Sequence, residues 1–203
     1  MSDVQFSNRI LRRFAEMTAL ELGADQFNAI LALANLPSTW AKPHTFLEMS
    51  ASDSAHVYAA LQAALRAYFG RGARGVLLRV GQHLWDQLLE DAPLGDKARA
   101  AFIRRLPLST RHKPTLELLA RFLGVQPGDV TVHTLDLDLL LVDHASPTTH
   151  DQSANTPICF VTQGLIRASL VWGTGREYDV EETSCKAMGE KACKFKITIG
   201  REP

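Results

Sequence analysis

The chain is short of several things that would decide its class at once. No apolar run approaches the ~18 residues of a membrane span, and the N-terminus Met1 to Val4 has neither the basic start nor the apolar stretch of a secretory leader. A cytoplasmic protein without a membrane span is therefore expected. Charge of one sign is also missing. Lysine plus arginine (22) balances aspartate plus glutamate (22), so the long-range field that gathers nucleic acid is absent and no nucleic-acid partner is expected. Cysteine is scarce, at three residues, an odd count that excludes a disulfide framework and leaves free thiols or metal ligands. There is no His-x-x-x-His pair, no internal repeat, and no Ser/His/Asp set whose proximity the order of residues supports. With 46% hydrophobic and 22% charged residues over 203 positions, disorder and a collagen-like fibre are excluded too, and the chain is expected to form one domain.

What is present falls into two parts, a helical one over 1–125 and a mixed one over 126–203. Ile10, Phe14, Met17 and Glu21 recur at helical spacing before Gly23, and Asp25 is placed to cap a second helix that Pro37 closes. Residues 38–52 read as a loop. Val57, Leu61, Leu65 and Tyr68 mark a third helix and Leu77, Val80, Leu84 and Leu88 a fourth, with shorter helical stretches over 96–105 and 115–123. After Gly128 the period becomes twofold, which predicts a hairpin turning near Asp136. A polar loop follows over 143–155. Thr156 and Pro157 suit the first turn of a helix carrying Val161, Leu165, Ala168 and Trp172, and alternation then returns through Val180, Phe195, Ile197 and Ile199. The class expected is α+β: an N-terminal helical layer packed on a small antiparallel sheet made of two β-hairpins flanking one helix.

Gly70-Arg71-Gly72-Ala73-Arg74-Gly75 matches G-x-G-x-x-G, but a dinucleotide site needs those glycines between a strand and a helix, and here a helix precedes them. A turn between two helices is the plainer account. Arg104, Arg105, Arg111, His112 and Lys113 form a basic cluster that reads as a solvated face. His112, His133 and His144 carry no catalytic pattern.

The C-terminal constellation is different. Glu182 and Cys185 precede Cys193, and Cys159 lies upstream; three thiolates and a carboxylate complete a closed tetrahedral zinc site. A hairpin turning at Gly189 sets Cys185 opposite Cys193, at the ~4.5–5.5 Å between Cβ atoms of facing residues. The same register turns the apolar faces of the two strands to opposite sides. One bulged residue between Glu182 and Cys185 restores Val180 to the side of Ile197 or Ile199 and brings Glu182 to the face of Cys185. Lys186, Lys191, Lys194 and Lys196 crowd the hairpin and would offset a surplus of about two negative charges on such a site. Unmetallated core cysteines, or a cross-strand disulfide, remain alternatives at this point.

The stretch from Gly164 through Val180 to Ile197, with Glu182, Cys185, the turn at Gly189 and Cys193, resembles the signature of the 4-vinyl reductase domain family. Tyr68 to Gly75, Arg79, Gly81 and Trp85 are more weakly similar to the glycine-bearing helix pair that precedes it. The resemblance implies a fold shared with vesicle-tethering subunits and a structural zinc on Cys159, Glu182, Cys185 and Cys193, the positions that match the three cysteines and glutamate of the family's phenol sensors. It implies a homodimeric module that binds a small hydrophobic or aromatic ligand as sensor or carrier, a role that requires no catalysis, and the length of the chain leads us to expect a free-standing module; Leu20 and Leu36 are apolar residues that a dimer would cover. The alternative is an accessory role in reducing a vinyl group in bacteriochlorophyll synthesis, for which the chain shows no nicotinamide, flavin or iron–sulfur signature. The histidine and tryptophan that hold the phenol hydroxyl in those sensors have no counterpart by local motif. The expected ligand pocket lies between the helical layer and the sheet, lined by Trp85, Phe102, Leu139 and Leu141.

Overall fold

The computed structural model describes residues 4–200. Helix α1 (Asn8–Leu22) buries Ile10, Leu11, Phe14, Ala15 and Thr18 along one stripe. It stops at Gly23, whose φ of +84° also makes it the N-cap of α2 (Ala24–Leu33). Asp25 consequently lies inside the first turn of α2, where its charge meets the positive end of the helix dipole, rather than at the cap. The loop expected over 38–52 instead holds two 3₁₀ segments, Ser38–Ala41 and Pro43–Glu48, anchored by the fully buried Phe46. Helix α3 (Ala51–Phe69) begins earlier than its apolar stripe suggests, because the Ser50 hydroxyl accepts the Asp53 amide at 3.1 Å and satisfies an orphan donor of the first turn.

A single 3₁₀ turn, Gly70–Gly72, joins α3 to α4 (Ala73–Glu90), so the glycine motif links two helices. Helices α5 (Leu94–Ile103) and α6 (His112–Leu123) follow. The basic cluster between them is only partly a solvated face. The Arg111 guanidinium donates to the carbonyls of Leu106, Arg104 and Gly173, so it fastens this connection to a helix far along the chain.

Strands β1 (Val130–Leu135) and β2 (Asp138–Asp143) form the first hairpin, with Asp136 at φ +50° in its turn. Helix α7 (Phe160–Thr174) intervenes, and β3 (Asp179–Ser184) and β4 (Cys193–Thr198) form the second hairpin. The sheet is antiparallel throughout, in the order β1-β2-β4-β3. Leu139 pairs with Ile197 and Leu141 with Phe195, while Val180 pairs with Ile197 from the other side. All five are buried and lie on one face; each contributes roughly 1.5–3 kcal/mol through burial. The class is α+β.

Helices α4 and α7 touch through backbone. A Cβ on Gly81 would stand 2.2 Å from the Val161 carbonyl oxygen, and one on Gly164 would stand 2.3 Å from that of Leu78. Only glycine at both positions permits this approach. Among the described residues no helix is long and apolar enough to cross a membrane.

Candidate metal centre and adjoining cleft

The register of the second hairpin shifts between Glu182 and Ser184: Glu182 faces Phe195, yet Ser184 faces Lys194. The bulged residue is Thr183. Its consequence is geometric, since side chains alternate along a strand: Val180 and Glu182 share the face of Cys193, Phe195 and Ile197, and Cys185 comes opposite Cys193. A 3₁₀ turn, Lys186–Met188, and Gly189 at φ +92° close the hairpin.

Cys159 reaches this face from the start of α7. The helix begins at Phe160, later than Thr156 and Pro157 predict, with Cys159 as its N-cap. The physical reason is a carboxylate supplied from another element. The Cys159 amide donates to Glu182 Oε2 at 2.9 Å, satisfying an N–H that would otherwise be orphaned at the helix start.

One donor atom from each of Cys159, Glu182, Cys185 and Cys193 lies within 4.8 Å of the other three. The Sγ atoms of Cys159 and Cys193 are 3.5 Å apart and those of Cys193 and Cys185 4.0 Å. Tetrahedral zinc with bonds near 2.3 Å places its sulfur ligands about 3.8 Å apart. The three cysteines are fully buried and Glu182 is 8% exposed. Glu182 Oε1 is buried without a hydrogen-bond partner, which is costly for a carboxylate oxygen unless a cation meets it. The donor types, spacing and orphaned oxygen together fit a soft divalent ion, and all four tetrahedral positions would be filled by protein.

Without a cation the four groups cannot all ionise together. Cys159 is held well above the ordinary thiol range by its contacts with Cys185 and Cys193 and by burial. Burial, then the neighbouring Cys185, pushes Glu182 up to about 8. Cys185 is driven down, its thiolate stabilised by the Cys159 and Cys193 thiols. A divalent ion removes this conflict by neutralising the charges that crowd there.

Sequence reasoning passed over Ser146. It lies in the connection between β2 and α7, fully buried at φ +40°, with Oγ 3.1 Å from Cys193 Sγ and 3.6 Å from Cys159 Sγ. Asp143 Oδ1 accepts its amide at 2.6 Å, and the Lys186 ammonium donates to the carbonyls of His144 and Ala145. The signal was an Asp three residues before a Ser, an Asx-type turn, but nothing local says that the turn folds over the cysteines. Of the hairpin lysines, Lys186 thus serves this turn and Lys196 pairs with Asp138 at 3.2 Å.

The four expected pocket residues are not gathered. Trp85 lines a cleft of about 440 Å³ between α4 and α7, whose walls also include Arg167, Trp172 and Tyr178. Trp85 and Trp172 meet edge to face with centroids 5.4 Å apart. The indole N–H of Trp85 and Nε of Arg167 are buried without partners. Leu139 and Leu141 are buried in the sheet's core face, and Phe102 is 61% exposed on α5. A second opening of about 500 Å³, bordered by Arg74, Phe160, Gln163 and Glu182, reaches the edge of the cysteine cluster.

The fold is found in solved proteins of low sequence similarity. The chain is similar to the phenol-responsive sensory domain of the transcription activator PoxR, in complex with phenol: 16% identity, TM-score 0.50, over 69% of this chain and 73% of that one. It is also similar to an H-NOX protein of S. oneidensis in the Fe(II)NO state (14%, TM-score 0.56, 94% and 97% of the two chains). An H-NOX mutant of T. tengcongensis matches with 15% identity and TM-score 0.57, over 95% and 96% of the two chains. None of the curated proteins matches in sequence. Among the described residues His112 is the one buried histidine, and its Nε2 is engaged by the Tyr178 hydroxyl at 2.6 Å. The V4R family profile matches residues 144–199, the segment that contains Ser146, Cys159, Glu182, Cys185 and Cys193. Over this segment the chain is similar to a V4R domain.

Proposed function

We propose that the protein is a small-molecule-binding module, a sensor or carrier, whose C-terminal part is organised by one structural zinc on Cys159, Glu182, Cys185 and Cys193. The observation that carries the zinc is the buried set of three thiols and a carboxylate with an unpartnered Oε1. The zinc orders structure and performs no chemistry, since four protein ligands leave no position for water or substrate. Three free thiols suit a reducing compartment such as the cytoplasm.

The ligand site is the cleft between α4 and α7. Its volume falls in the usual range for small-molecule sites, and Trp85, Trp172 and Tyr178 give it aromatic walls. The unpartnered indole N–H of Trp85 suits a ligand that brings a hydrogen-bond acceptor. The similarity to a V4R domain and the fold shared with the PoxR sensory domain support this reading. The module is a homodimer in this reading, which the 76% exposure of Leu20 on α1 supports.

Native mass spectrometry of tag-free protein tests both parts. One zinc per chain is expected, with a small retained ligand. Less than about a tenth of an equivalent of any transition metal, with all three thiols titrating freely, would make them ordinary core residues. Because two of the three tryptophans line the cleft, titration with small aromatic compounds is expected to quench fluorescence in the wild type and much less in Trp85→Leu. A panel that leaves the fluorescence unchanged would remove the cleft as the site.

A further inference from the structure

We propose a second, surface transition-metal site formed by His56 of α3 with His150 and Asp151 of the connection between β2 and α7. One ligand atom from each residue lies within 4.8 Å of the other two. His150 Nε2 stands 3.5 Å from Asp151 Oδ2, and His56 Nδ1 3.9 Å from the same oxygen. The imidazoles face each other edge to face with centroids 6.0 Å apart. Metal bonds of 2.0–2.2 Å at tetrahedral or octahedral angles separate ligand atoms by about 2.8–3.6 Å, so an ion need draw these side chains together only slightly. His56 and Asp151 are mostly exposed and free to make that adjustment.

Two imidazoles and one carboxylate select a divalent first-row transition ion, such as zinc, nickel or copper, over magnesium or calcium, which take oxygen ligands. Unlike the cysteine cluster, this set supplies three ligands and leaves coordination positions open to water or a small anion.

The frame that presents the site exists without the ion. Gln62 of α3 donates to the Thr148 hydroxyl at 3.1 Å within the core, and Arg66 of α3 donates to Gln152 at 2.9 Å. These two bonds flank His150 and Asp151 and hold them beside His56. The same connection carries Ser146 onto the cysteine cluster. An ion on His56, His150 and Asp151 therefore adds a third fastening between α3 and the strap that covers the buried centre.

Calorimetric titration of tag-free, zinc-replete protein with Ni²⁺ tests the site. One equivalent is expected for the wild type, and binding weakened at least about tenfold in the His56→Ala/His150→Ala variant, because losing ligands costs more than losing their supporting partners. Cys185→Ser is expected to keep the nickel site, so failure of the buried zinc centre would leave this result intact. Cobalt distinguishes the two places by colour: thiolate-to-metal charge transfer marks the cysteine cluster, and weak d–d bands alone mark the surface site. No nickel binding by the wild type, or equal binding by the wild type and the double variant, would overturn the proposal.

Discussion

Glu182 divides its two oxygens between two tasks. Oε2 accepts the first free amide of α7, and Oε1 is left to the cysteine cluster. Glu182→Gln is therefore expected to retain a folded α7, because an amide oxygen can still accept the Cys159 N–H, while zinc retention under chelator challenge falls. Cys185→Ser removes a thiolate outright. It should purify with substoichiometric zinc and unfold more than about 5 °C lower, since metal binding at such a centre is also folding free energy. Glu181→Gln, exposed on the other face of β3, should change neither, and parallel elemental analysis and thermal unfolding check all three. Acid acts in the same direction. Metal-free Glu182 is pushed up to about 8, so zinc uptake at neutral pH expels its proton together with those of Cys159 and Cys193; a pH indicator should report acid release on zinc addition, and retained zinc should fall as pH is lowered. The cluster was legible in the sequence because one bulge satisfied two demands, apolar facing at Val180 and the placement of Glu182. Ser146 was not, because its contact with Cys159 and Cys193 spans elements that no local pattern joins.

At the scale of elements, α4 and α7 make the closest packing in the fold. Gly164→Ala would force a Cβ to 2.3 Å from a backbone oxygen that cannot move without displacing α4. A loss of about 2–3 kcal/mol is expected in denaturant unfolding. Gly95→Ala in α5 meets nothing within 4 Å and should stabilise by about 0.5–1 kcal/mol through reduced chain entropy. Asp91 ties the end of α4 to α1 by accepting from Arg13 and Arg12. The hydrogen bond from Arg13, then charge attraction, holds its carboxylate below the ordinary value of 3.8. The folded state thus binds that proton less readily than the unfolded chain, so this contribution is present above about pH 4 and fades as pH falls through the folded-state value. Asp91→Asn should lower the melting temperature at pH 7 and flatten its decline in acid. Helix existence was readable from apolar spacing, whereas helix starts were not: Thr156 and Pro157 carry the local marks of an N-terminus, yet α7 begins where Glu182 supplies the acceptor.

At the scale of the whole molecule, the order of helices, hairpin, helix and hairpin was enough to give the α+β class, because a change of period from 3.6 to 2 is a property of the chain itself. The pocket was harder to read. Trp85, Phe102, Leu139 and Leu141 are all apolar or aromatic, and the pattern does not say which line a cleft, which fill the sheet's core face and which meet solvent. Light scattering coupled to size exclusion is expected to give twice the 22.4 kDa chain mass, and Leu20→Glu to shift the population toward the monomer. A clean monomer at micromolar concentration would remove the dimer.

The glycine crossing has a mechanical side. Where side chains separate two helices, small tilts are absorbed by rotamer changes; at Gly81 and Gly164 backbone rests on backbone, which makes that point a fulcrum. Helix α7 extends about 7.5 Å from there to Cys159 and about 12 Å the other way to Trp172, at 1.5 Å per residue. A rigid rod pivoting on that point moves its longer arm about 1.6 times as far as its shorter one, so a shift of the cysteine end arrives enlarged, and reversed in direction, at the aromatic wall of the cleft.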